Sequence, residues 1–202
     1  MADSTGDRAA GLALIAAAAG SVAAMAHHPS GAHGGAGALA GIVHAAMILV
    51  LALMTFGFVH VARRRGLGRP AVLAGLVAYA IGLFGHAGAA TINGFVVPAL
   101  AARGPQAVGH DIFLLAWEVN QALARLGVYA TCAAFLLWGA DLLRDARWTG
   151  AVALAAGAVP AAALAGGWIA MDVAGAFLVY AVHATFAALV GIQLVRRRAA
   201  LA

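Results

Sequence analysis

Residues 38–69 read ALAGIVHAAMILVLALMTFGFVHVARRRGLGR. From Ala38 to Val61 the only polar side chains are His44, Thr55 and His60, and then Arg63, Arg64, Arg65 and Arg69 follow in quick succession. A bilayer core needs about 20 mostly apolar residues per helix. Arg clusters beside such a run mark its cytoplasmic end. This segment is therefore read as a transmembrane helix that runs inward and carries a histidine in its outer half.

The rest of the chain repeats the pattern. Hydrophobic residues make up 64% of the sequence and charged residues 9%, with a mean hydropathy of +0.96. Soluble domains are roughly 45–50% apolar and about 25% charged, so a water-soluble globule, a disordered chain and a disulfide scaffold are excluded. Six stretches are long and apolar enough to span: about 9–26, 38–61, 71–97, 112–141, 149–168 and 172–195. Alanine and glycine dominate them, as suits closely packed membrane helices. No alternating polar–apolar pattern suggests a small barrel. The expectation is an all-α integral membrane helix bundle of six transmembrane helices, with residues 1–202 forming a single transmembrane helical domain.

Orientation follows from arginine. Arg8, the cluster at 63–69, Arg144 with Arg147, and Arg196 to Arg198 all fall on one side of a six-span chain, whereas the opposite loops hold only Arg103. The positive-inside rule makes the arginine side cytoplasmic, placing both termini inside a plasma (inner) membrane. Residues 1–26 also resemble a secretory signal, with Ala24-Met25-Ala26 as a small-x-small cleavage site and five spans left after removal. Asp3 and Asp7 beside Arg8 deny that segment the usual positive charge, so the six-span reading is preferred.

All twelve basic residues are arginine, so lysine Schiff-base chemistry is excluded. They cluster beside apolar runs, so the partner they indicate is the lipid bilayer and not nucleic acid. Cys132, the single cysteine, excludes an internal disulfide and reads as inert and buried. No phosphate-binding loop, nucleophile elbow or H-E-x-x-H motif is present.

Eight histidines in so apolar a chain are the unusual feature. Ionisable side chains inside a bilayer usually face the bundle interior and mark a site. At 1.5 Å of rise per residue, His44 and Glu118 lie about 9 Å, and His86 and His183 about 16 Å, below the outer ends of their helices. Neutral imidazole is the commonest metal ligand and the usual axial ligand of haem. The candidate cofactor-binding residues are therefore His44, His86 and His183, with Glu118, the only glutamate, as a fourth metal ligand. The cofactor expected is haem b or a transition metal (copper, iron or zinc). His27, His28 and His33 form an outer metal-loading loop, weakly specific because His-rich tracts are recognised by composition alone.

Blander readings stand beside these. Asp111, Glu118, Arg125 and Cys132 recur every seven residues on one stripe, and Glu118 with Arg125 also reads as a structural ion pair. Gly82, Gly85 and Gly88 beside His86 leave room for a flat group, although packing is the commoner use of such residues. Met47 and Met54 read as core filler rather than copper ligands. His60 reads as interfacial, Trp138, Trp148 and Trp168 as interface anchors, and Thr91 and Asn93 as caps of the third helix.

The function expected is an integral membrane metalloprotein with a haem or metal site in the outer half of the bilayer, serving redox or electron transfer. A metal, quinone or redox partner would approach from the outer side. The alternative is a small channel or transporter with a proton or cation path lined by His, Glu and Asp, opened by helix breaks near Gly94/Pro98 and Pro160. The topology is testable: a reporter fused after Arg198 is expected to behave as cytoplasmic, and activity on the opposite side overturns the orientation.

Overall fold

The computed structural model describes residues 4–29, 38–104 and 106–196. The helices are α1 (Ser4–Ala26), α2 (Ala38–Arg65), α3 (Pro70–Thr91), a π-helical turn (Ile92–Val96) leading into α4 (Val97–Ala101), α5 (His110–Leu142), α6 (Arg147–Ala165) and α7 (Val173–Arg196). With α3, the π-turn and α4 counted as one continuous span over Pro70–Ala101, six helices among the described residues are long and apolar enough to cross a membrane. This is the six-helix bundle expected from sequence. α1 belongs to it, packed on α7 and α2.

The third span shows how sequence sets local shape. Pro98 has no N–H to donate, and its ring clashes with the carbonyl four residues back in a regular helix. The chain widens instead: the Val97 N–H donates to the Ile92 carbonyl, five residues earlier. Thr91 and Asn93 therefore do not end the helix. The Thr91 hydroxyl donates back to the Ala87 carbonyl at 2.8 Å, and the span continues to Ala101. Pro160, by contrast, lies inside α6 without interrupting it.

The tightest seam joins α3 to α5. A Cβ on Gly85 would sit 2.5 Å from the Gly127 nitrogen and 2.6 Å from the Leu123 carbonyl oxygen. Only glycine permits backbones to approach so closely. The space beside Gly82 and Gly85 is thus filled by α5 itself, so it offers no clearance for a flat cofactor.

The Arg-rich segments share one end of the bundle, where ion pairs tie the helices together. Asp7 on α1 accepts from His60 at 2.7 Å and from Arg64 at 2.8 Å. Asp141, whose side chain is only 2% exposed, accepts from Arg65 at 2.7 Å and Arg69 at 2.9 Å. Arg65 also reaches Asp145 at 2.8 Å. Buried charges persist when paired in this way. A cavity of about 280 Å³ lies among these groups.

Above this end lies a layer of aromatic rings: Phe58, Tyr79, Phe135, Trp138 and Phe186, with centroids 4.7 to 6.1 Å apart in their contacts. Trp138 is part of this core, with its indole N–H donated to the Val72 carbonyl at 3.2 Å, and is not an interface anchor. Trp148 and Trp168 are 87% and 81% exposed, as anchors are. Replacing Gly85 by leucine is expected to destabilise the bundle by about 1–3 kcal/mol through overpacking. Gly68→Ala, with nothing within 4 Å of the added carbon, is expected to stay within about 0.5 kcal/mol. Unfolding in detergent measures both.

Candidate metal centre at the His-rich end

Away from the Arg-rich end the bundle opens into a cavity of about 400 Å³. It reaches from His28 and Pro29, just past α1, down to His86 and Tyr180 between the helices. A smaller chamber of about 40 Å³ lies beneath, lined by His86, Tyr180, Thr131, Ser21, Met54 and His183. That is room for about one water. Met47, His86, Ala90 and Tyr180 line both spaces and form the partition between them.

His86 sits in this partition, 6% exposed. Its Nδ1 lies 2.9 Å from the Tyr180 hydroxyl and its Nε2 3.2 Å from the Thr131 hydroxyl. Its ring rests on Gly127, where a Cβ would come within 2.6 Å of Nδ1. Both ring nitrogens are therefore engaged by hydroxyls from α7 and α5, and the ring is fixed by the α3–α5 seam. His183, 4% exposed, has its Nε2 3.6 Å from Cys132 Sγ and its ring edge-on to Phe135 at 5.0 Å.

His44 is placed by the π-turn. Gly94 lies against the His44 side chain so closely that a Cβ there would collide with the His44 Cβ. The His44 Nδ1 lies 2.7 Å from the Ala40 carbonyl, one turn back. Its Nε2 faces the Nε2 of His28 at 3.2 Å, with the rings edge-on. The His28 Nδ1 lies 3.0 Å from the Pro29 carbonyl. Carbonyl oxygens only accept, so each Nδ1 is the donor and carries the proton. A neutral imidazole protonated at Nδ1 presents a lone pair at Nε2. The geometry thus aims two lone pairs at one another, a repulsive arrangement unless a cation lies between them. Burial first, and the neighbouring His44 ring second, hold the His28 pKa below the ordinary imidazole value of 6.5, against the pull of the Pro29 carbonyl.

The other residues expected at the site are dispersed. Glu118 is exposed on the outer surface of α5, as is Arg125. A seven-residue stripe drifts by about 20° per heptad on a straight helix. Over the two heptads from Cys132, which is buried, to Glu118, that drift carries the carboxylate off the interior face. Asn120 and Gln121 face inward instead, donating to the Ala89 carbonyl at 2.8 Å and the Met171 carbonyl at 3.2 Å. Asp172 caps α7, accepting from the Gly175 N–H at 2.8 Å. His27 is exposed, with Nδ1 2.9 Å from the Ala23 carbonyl, and His33 lies outside the described residues. His60 pairs with Asp7 at the other end.

His44, His86, His183 and Glu118 are therefore not gathered into one ligand set. Among the described residues, no three or more His, Cys, Asp or Glu side chains come together where they could hold a metal ion. Sequence reasoning missed the pairing of His28 with His44 and the hydroxyls that engage His86. Tyr180, three residues before His183 on the same stripe of α7, was the available signal for the second. No family model, no curated protein and no solved structure matches the chain.

The partition carries a prediction of its own. Tyr180→Phe removes one of the two hydroxyls that engage His86 and leaves a buried nitrogen without its partner. The expected cost is about 1–3 kcal/mol, read from unfolding in detergent, and no change counts against the hydrogen bond.

Proposed function

We propose that this protein is an integral membrane metalloprotein that holds a non-haem transition metal in the half of the bilayer away from its Arg-rich end. The observation that carries this reading is the facing Nε2 pair of His28 and His44, each with its Nδ1 tied to a backbone carbonyl. Metal-ligating histidines nearly always donate the other ring N–H to such an acceptor, which fixes tautomer and ring orientation. The cavity supplies access and further donors from α1, α2, α3 and α7.

Haem is the weaker form of the reading. His86 and His183 are packed against α5 and engaged by Thr131, Tyr180 and Cys132, and the chamber they share is water-sized. The proton or cation path is weaker too: Glu118 is on the outer surface, Asp172 is spent on a helix cap, and the aromatic layer stands between the cavities of the two ends. Copper or iron at the pair would give the protein one-electron chemistry, with a quinone, a redox protein or a metal donor as the partner at the His-rich face.

Protein purified in detergent and analysed for metals is expected to contain, or to take up, a transition metal and to show no haem Soret band. His44→Ala is expected to lose the metal, and Glu118→Gln to keep it. A Soret band restores the haem reading, and failure to bind copper, iron or zinc overturns the proposal.

A further inference from the structure

Resting on the metal-binding reading, we infer that the ion is Cu(I), held between Nε2 of His28 and Nε2 of His44, with the thioethers of Met25 and Met47 completing its coordination. The nitrogen spacing fits. Metal–nitrogen bonds of about 2.0–2.1 Å at a near-tetrahedral angle put the two nitrogens about 3.3 Å apart, against the 3.2 Å found here. An ion with such bonds lies about 1.3 Å to one side of the line joining the nitrogens, and the two rings turn toward it.

The other donors select the metal. Met25 and Met47 line the same cavity as the two rings. Met25 precedes His28 by three residues and Met47 follows His44 by three, so each histidine has a thioether one turn away along its own chain segment. Met47 thus differs from Met54, which packs in the hydrophobic core as filler. Asp172 is the carboxylate that lines this cavity, and its Oδ1 is engaged by the Gly175 N–H, while Glu118 is exposed on the outer surface of α5. Hard cations require oxygen ligands, whereas thioethers favour Cu(I) over Zn(II). A neutral set of two imidazoles and two thioethers also suits a monovalent ion in a low-dielectric site, because less charge must be desolvated than for a divalent one.

The occupant that competes with copper is a proton shared between the rings. The test is Cu(I) titration of the full-length protein in detergent, anaerobically, against a chromogenic Cu(I) chelator, with unfolding temperature as a second reading. Cu(I) is expected to bind and to raise the unfolding temperature, and X-ray absorption is expected to show nitrogen and sulfur neighbours. His28→Ala, beyond the end of α1, is expected to weaken binding by more than about 100-fold and Met47→Leu by at least about tenfold. Met47→Leu nearly conserves volume and leaves the fold intact. Glu118→Gln, on the outer surface of α5, is expected to bind as the parent does. Undiminished binding in His28→Ala with loss in His86→Ala overturns this inference and leaves the protein a metalloprotein. A shell without sulfur, or Zn(II) displacing Cu(I), overturns the assignment of the metal. A parent chain indifferent to Cu(I), Zn(II) and iron leaves the shared proton as the occupant and overturns both readings.

Discussion

The contact between the backbones of α3 and α5 at Gly85 and Gly127 governs the rest of the structure. Lipid gives transmembrane helices no hydrophobic reason to associate, so close van der Waals packing must do it. Where Gly85 meets Gly127 no side chain separates the two backbones. The approach of α5 fixes the His86 ring against Gly127 and brings Thr131 to its Nε2. It also places Asn120 within reach of the Ala89 carbonyl. The polar interior of the His-rich half is thus a consequence of one apolar contact.

Polar groups elsewhere obey the same rule of satisfaction. Among the described residues no buried side-chain nitrogen or oxygen lacks a partner. Two solutions appear at the two ends. At the Arg-rich end, carboxylates and guanidinium groups meet at 2.7 to 2.9 Å and neutralise one another. At the other end hydroxyls, amides and imidazoles are satisfied by one another and by backbone carbonyls, and Asp172 accepts from the Gly175 N–H. The His28–His44 contact is the exception in kind, because its two acceptors face one another. On the proposed reading, that acceptor-against-acceptor contact is the point a cation takes.

What could be read from sequence is what depends on one helix at a time. Span lengths, the clustering of arginine on one side and the exposure of Trp148 and Trp168 follow from runs of residues and their flanks. What depends on two helices meeting could not be read. Glu118 shares a heptad stripe with Cys132, yet the rotation of α5 against its neighbours decides that one is exposed and the other buried. Trp138 stands near a helix end, where an interface anchor belongs, but the ring of Phe58 and the carbonyl of Val72 claim it for the core. The glycines around His86 are small for the sake of α5, and no single-helix pattern distinguishes that use from clearance for a ligand. The pairing of His28 with His44 needs the residues just past α1 to lie against α2, a tertiary event without a local signature.

The aromatic layer sets the direction in which the proposed centre can communicate. Phe58, Phe135 and Phe186 are each at most 1% exposed and in mutual contact. An ion crossing from the His-rich cavity to the Arg-rich end would have to shed its ligands into an apolar ring stack, a step that costs many times what thermal motion supplies. Below His183 the rings of Phe135 and Phe186 follow. A metal held above it would exchange with partners on the His-rich face alone. On the proposed reading, then, the six-helix bundle works as a membrane-held cup: the seam between α3 and α5 fixes its inner wall, the aromatic rings close its floor, and the two histidines at its mouth meet the ion first.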